Sequence, residues 1–198
     1  MRRRRLVGLF LILFAWGPLL SVDVDLDQEP NDPNLFQFVR IRYNGFGGNF
    51  GSRRWGPPPW MHDYPRADKN FLKILEEVTT VPTTPESYLI MDLDDPGIME
   101  YPFLYISEPG YWAATSKEIQ NLRQYFERGG FVVFDDFRGP EEWGNLVRAM
   151  KQVDSERTFE LLTSVHPIFH CFYDIDSLDM IPPYRIRGAG LPRFFGWS

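Results

Sequence analysis

The sequence predicts an α/β fold: an open, mostly parallel, doubly wound sheet with helices on both faces. Three observations carry that expectation. Short runs rich in β-branched and aromatic residues alternate with amphipathic helical stripes through the middle of the chain, the order that builds right-handed βαβ units. Most runs close on Asn, Asp, Gly or Pro, the residues that end strands. One run, Phe131 to Phe134, is apolar at every position, as a strand covered on both faces requires.

The elements follow in order. Leu35 to Tyr43 (LFQFVRIRY) is the first strand, ended by Asn44-Gly45. Ala67 to Val78 places Phe71, Leu72, Ile74, Leu75 and Val78 on one helical stripe. Tyr88 to Leu93 is a second strand, stopped by Asp94-Asp95-Pro96-Gly97, and Phe103 to Ser107 a third, stopped by Glu108-Pro109-Gly110. Thr115 and Glu118 have capping-box spacing; Ile119, Leu122, Tyr125 and Phe126 form the apolar face behind them, and Gly129-Gly130 is the stop. Phe131 to Phe134 is the fourth strand. Pro140, Glu141 and Glu142 then open a helix whose Trp143, Leu146, Val147, Met150 and Val153 face one way. Thr158 to Leu162 and Ile168 to Ile175 read as further strands, and residues 176–198 carry no recognisable element.

The chain has 198 residues, 17 Pro, 16 Gly, one Cys and a net charge of −6. That length fits one domain. The lone Cys171 excludes an internal disulfide framework and a cysteine zinc site; inside a strand-like run, it reads as a buried small hydrophobe. Arg2 to Arg5 precede Leu6 to Leu20, an uncharged apolar run of 15 residues, which reads as a signal peptide or membrane anchor over residues 1–21. Residues 22–34 are an acidic tether, and 35–198 the domain. The expected location is outside the inner membrane, either periplasmic or anchored and facing the periplasm. Without its four leading arginines the net charge goes from −6 to −10. So acidic a domain argues against nucleic acid. The sequence assigns no cofactor and no metal.

An open parallel sheet binds ligands beyond the carboxyl ends of its strands, near the point where strand order reverses. Those ends carry Tyr43-Asn44-Gly45, Asp94-Asp95, Ser107-Glu108 and Asp135-Asp136. The acids either cap helix N-termini or do acid/base work, for which Glu108, Asp135, Asp136 and His62 are the candidates. His166 and His170 flank Pro167 in a predicted strand, where such positions lie roughly 13 Å apart, a poor metal pair. The loop 43–65 carries aromatics beside arginines, as interfaces and lids do, and as a self-packing loop also would. Arg42, Asn44, Arg53, Arg54, Trp55, Trp60, Asp63 and Tyr64 are the candidate contacts to a ligand or partner. Arg40 and Arg42 share one face of the first strand, aimed either at a ligand anion or at the rim acids. Gly45, Gly47 and Gly51 lack dinucleotide-fingerprint spacing, and neither Ser107 nor Cys171 has the small neighbours of a nucleophile elbow.

Taken together, Asp63-Tyr64-Pro65-Arg66-Ala67-Asp68, Tyr101-Pro102-Phe103-Leu104-Tyr105-Ile106, Gly129 to Phe137, Glu142-Trp143 and His166-Pro167-Ile168-Phe169 with Tyr173 resemble an exported bacterial family of unknown function. That family is similar to the class I glutamine amidotransferase-like, flavodoxin-like superfamily, and two segments also resemble its trehalose-utilisation-type members. The resemblance implies a flavodoxin-like fold over about residues 36–175. It also implies a nucleophile cysteine and a His-x-Glu, yet the elbow here reads Ser107-Glu108-Pro109-Gly110 and no His-x-Glu exists. Similar proteins continue into another strand and helix, so the chain is expected to be truncated at its C-terminus. The expected function is a non-catalytic ligand- or partner-binding module of the cell envelope, taking a small ligand or an envelope protein and lacking amidotransferase chemistry. The alternative is a hydrolase acting on a polar or saccharide substrate, with the rim carboxylates as acid and base.

Overall fold

In the computed structural model, which describes residues 32, 34–45, 57–179 and 192–197, four parallel strands lie in the order β2-β1-β3-β4. They are β1 (Phe38–Arg42), β2 (Tyr88–Asp92), β3 (Phe103–Ser107) and β4 (Phe131–Asp135). The register runs from Phe38 opposite Tyr88 to Arg42 opposite Asp92, and from Phe103 opposite Phe131 to Ser107 opposite Asp135. Helix α1 (Arg66–Val78) carries the chain from β1 to β2, α2 (Ser116–Glu127) from β3 to β4, and α3 (Gly139–Val153) away from β4. The chain steps outward from β1 to β2 and then returns to the other side for β3. The β1/β3 boundary is therefore the switch point of a flavodoxin-like open sheet.

Strand alternation divides the sheet between two cores. Val39, Ile41, Leu104 and Ile106 pack with Ile119, Leu122, Leu146 and Met150 of α2 and α3. Phe38, Tyr88 and Phe103 pack with Leu72 of α1 on the other face. Arg40 follows the Phe38 side and is fully buried there. Its guanidinium meets Asp68 of α1 through two hydrogen bonds, Nε to Oδ1 and Nη2 to Oδ2, each 2.8 Å. The two arginines expected to act together thus part: Arg40 pairs with a helix acid, while Arg42 pairs across the strand boundary with Asp92 at 2.6 Å.

The capping box forms as expected, with Thr115 Oγ1 accepting from the Glu118 N–H at 3.2 Å and Glu118 Oε2 from the Thr115 N–H at 2.7 Å. Gly129 takes φ 87° at the end of α2, a conformation that glycine enters without cost.

Several expectations are corrected. Phe131 to Phe134 is not covered on both faces: β4 is an edge among the described residues, and Phe131 is 53% exposed. The chain leaving α3 does not rejoin this sheet, because β5 (Phe159–Leu162) pairs antiparallel with β6 (Phe194–Trp197). β6 lies in the tail where no element was expected, held by aromatics: Trp197 sits 4.9 Å from Phe126, and Phe195 4.4 Å from Trp143. Ile168 to Ile175 is no strand; Pro167 donates no N–H, and a 3-10 turn over Pro167–His170 replaces it. Cys171 follows that turn and is exposed rather than buried. The leader 1–21 and nearly all of the tether 22–34 lie outside the described residues, and no described helix is long and apolar enough to cross a membrane.

Candidate functional site

The switch point is stitched together from both sides. Tyr43, just past β1, is buried, and its hydroxyl lies 2.8 Å from the Ser107 carbonyl and 2.6 Å from the Glu108 carbonyl, one proton serving both. The Asn44 carbonyl accepts the Ala113 N–H at 2.8 Å, and Gly45 bridges to Trp112. Beyond β3, the Glu108 N–H donates to the Asp135 carbonyl at 2.8 Å. The 3-10 turn Pro109–Tyr111 then lies hard against α3: a Cβ on Gly110 would sit 2.3 Å from Cβ of Glu142. Asn145 of α3 fixes the turn, its side-chain amide donating to the Gly110 and Trp112 carbonyls at 3.1 and 2.8 Å.

His62 arrives from the α1 face. The 3-10 turn Pro59–Met61 precedes it, and Arg40 Nη1 donates to the Trp60 and His62 carbonyls at 2.9 and 3.2 Å. A guanidinium buried in the core thereby sets the height of the turn over the strand ends. His62 Nδ1 then lies 2.6 Å from Asp136 Oδ2 and 3.8 Å from Glu108 Oε1. One ligand atom from each of the three residues falls within 4.8 Å of the others. Arg138 Nη2 donates to both oxygens of Asp136, Oδ1 at 3.1 Å and Oδ2 at 3.2 Å. Asp135 is turned aside, its carboxylate accepting the Tyr105 hydroxyl at 2.7 Å and the Asp136 N–H at 2.8 Å.

The described non-glycine residues with positive φ are Asp63 at 57°, Glu108 at 46° and Asp136 at 55°. Two belong to the cluster and the third adjoins His62. Such backbone is costly and is kept where a site is built. Burial pushes the Glu108 carboxyl above its ordinary pKa, with Asp136 and Glu142 adding to the rise and His62 and Arg138 opposing it. Burial also raises Tyr43 and Tyr105, so both hydroxyls stay protonated donors. In a neutral ring whose Nδ1 proton faces Asp136, Nε2 is the acceptor. Glu108 beside it holds a proton to higher pH than an ordinary glutamate. The arrangement can move protons on a bound polar molecule, and its one nitrogen and two carboxylates are also a donor set for a cation.

Of the sequence candidates, His62, Glu108 and Asp136 are brought together and Asp135 lies beside them. Asp94 and Asp95 do not join: one pairs with Lys117 at 3.1 Å and the other accepts the Gly97 N–H at 2.8 Å. For those acids the capping and surface-pair reading holds. Among the contact candidates, Asn44 and Asp63 are exposed and Arg42 is tied to Asp92. Tyr64 packs against Tyr88 with ring centroids 6.0 Å apart. Trp60 is buried in the larger core rather than offered to a partner, because its turn folds down onto the strand ends. Arg53, Arg54 and Trp55 lie outside the described residues. His170 pairs with Asp174 at 3.1 Å, not with His166.

Sequence reading missed Asp68, Tyr43, Asn145 and Arg138 as supports of the site. The signal for Asp68 was present: it sits one helical turn before Leu72, on the inward stripe of α1, where only a paired acid is tolerated. A cavity of about 310 Å³ lies elsewhere, beside Arg123, Phe126 and Trp197 at the C-terminal end of α2. The Arg123 guanidinium there is already bonded to the carbonyls of Val153 and Gln152 at 2.6 Å each.

No curated protein matches the chain. A family model described as a domain of unknown function, DUF4159, matches residues 37–191. That span includes β1 to β5 and all three residues of the cluster, and by it the chain belongs to the DUF4159 family.

Proposed function

We propose that the domain is an exported, envelope-facing module that binds a small polar ligand at the β1/β3 switch point and lacks amidotransferase chemistry. The observation carrying this reading is the convergence of His62, Glu108 and Asp136 within 4.8 Å, on backbone held in costly conformations. Where the superfamily resemblance calls for a cysteine nucleophile, the strained position after β3 holds Glu108. A glutamate there can bind or move a proton but cannot form the thioester on which glutamine hydrolysis depends. The leader read from Arg2 to Leu20 supports export.

A second reading, hydrolysis of a polar or saccharide substrate, is favoured by one specific contact, the 2.6 Å pair of His62 Nδ1 with Asp136. It leaves Nε2 free as a base. One experiment addresses both. The full-length chain is screened by thermal shift against sugars, amino acids and small organic anions, and each stabilising compound is followed by NMR for consumption. Stabilisation without turnover, lost in His62→Gln, is the expected result. Consumption that disappears in His62→Gln and Asp136→Asn would replace the binding module by the hydrolase, and no stabilisation by any class would overturn the ligand reading. Fractionation of producing cells tests export separately.

A further inference from the structure

Resting on that reading of the switch-point cluster, we propose that His62, Glu108 and Asp136 form a site for a divalent transition-metal cation of the zinc or manganese class, with open positions for water or ligand. Such a cation takes bonds of about 2.0–2.2 Å to nitrogen and oxygen, so two donors on one ion lie roughly 3 to 4.4 Å apart. The 3.8 Å between His62 Nδ1 and Glu108 Oε1 already falls in that range. The 2.6 Å between the same nitrogen and Asp136 Oδ2 is a hydrogen bond, and a cation takes the place of its proton. Binding therefore moves the imidazole proton from Nδ1 to Nε2 and lets the pair separate by a few tenths of an ångström.

The chemistry of the donors selects the cation. One imidazole with two carboxylates and no thiolate suits zinc or manganese better than calcium or magnesium, which prefer all-oxygen sets, or copper(I), which prefers sulfur. The Asp136 side chain and the backbone that carries the other two ligands are also held in place. Arg138 Nη2 holds both oxygens of Asp136, Oδ1 at 3.1 Å and Oδ2 at 3.2 Å, Arg40 fixes the His62 carbonyl at 3.2 Å, and Tyr43 fixes the Glu108 carbonyl at 2.6 Å. Three protein ligands leave coordination open, the mark of a site that handles a ligand rather than one that only braces the fold.

The test is isothermal titration of the metal-stripped full-length chain with zinc chloride and with manganese chloride. The expected result is saturable binding of one cation per chain. Glu108→Gln, Asp136→Asn and His62→Gln should each weaken binding at least tenfold, whereas Asp94→Asn should leave it unchanged. Circular dichroism of the metal-free variants shows whether each folds. Independently of the variants, cobalt(II) loading should give visible ligand-field bands without a thiolate charge-transfer band. Absence of saturable binding, parent-like affinity in every folded variant, or a thiolate band from the exposed Cys171 would overturn the assignment. Cation binding with no organic ligand found would uphold the metal site and defeat the ligand reading. A ligand whose binding ignores both metal and chelator would do the reverse.

Discussion

Asp68→Asn leaves the Arg40 guanidinium buried opposite a neutral amide. Arg40 and Asp68 are both 0% exposed and share two hydrogen bonds of 2.8 Å. Removing one partner of such a pair costs about 3–5 kcal/mol, because the remaining charge stays out of water without compensation. With a urea slope of about 2 kcal/mol/M, the unfolding midpoint should fall by roughly 1.5–2.5 M. The double variant Arg40→Met with Asp68→Leu removes both charges, and apolar replacement of a buried pair is often neutral or stabilising. Here it also strips the donor from the Trp60 and His62 carbonyls, each of which costs about 1–3 kcal/mol if left buried and unpaired. The double variant should therefore recover only part of the loss, while the His62 turn loosens. Urea unfolding followed by circular dichroism reads the first effect. Amide exchange at Met61 and His62, whose N–H groups donate to Pro58 and Pro59 at 2.9 and 3.0 Å, reads the second. An Asp68→Asn midpoint within about 0.3 M of the parent, or a double variant with fully protected Met61 and His62 amides, would refute the reasoning.

Three further outcomes follow from the same geometry. Gly110→Ala places a Cβ 2.3 Å from Glu142 Cβ and 2.9 Å from its Cα; the turn must lift off α3, at about 1–3 kcal/mol, seen as a lower melting temperature. Thr115→Ala removes the cap of α2 and should cost about 1 kcal/mol in urea unfolding. Glu108 titrates above its ordinary value in the folded chain, so the folded state keeps a proton that the unfolded state has released. Stability then falls as pH rises from the ordinary glutamate range through the raised value, and stays lower above it. Metal-free Glu108→Gln escapes that fall, so melts taken from about pH 4 to about pH 8 should show the variant gaining on the parent as pH rises. A gap that narrows with rising pH would contradict the burial argument.

The parallel sheet was legible because its strands and helices are local patterns with strong punctuation. Thr115 with Glu118 announced α2, and Pro140 with its two glutamates announced α3. Phe131 to Phe134 misled because an apolar run reports what a strand could bury, not which neighbour it obtains. Ile168 to Ile175 misled because its β-prone residues follow directly on His166-Pro167, and the proline favours a turn. The site was half legible. His62, Glu108 and Asp136 were on the page as types and positions, but they are 46 and 28 residues apart along the chain. Their meeting depends on Arg40, a strand residue whose partner sits on a helix. Nothing in the run Phe38 to Arg42 says that its first arginine turns inward and its second outward along the rim.

The left-handed backbone at Asp63, Glu108 and Asp136 sets what a search for a hardier variant would find. Glycine at any of the three relieves strain, offset by the greater entropy of its unfolded chain, and asparagine is tolerated there more readily than glutamate. Selection for heat resistance alone would press on these positions, and at Glu108 and Asp136 every gain would delete a carboxylate from the cluster. Durability and the proposed ligand handling thus compete at the same residues.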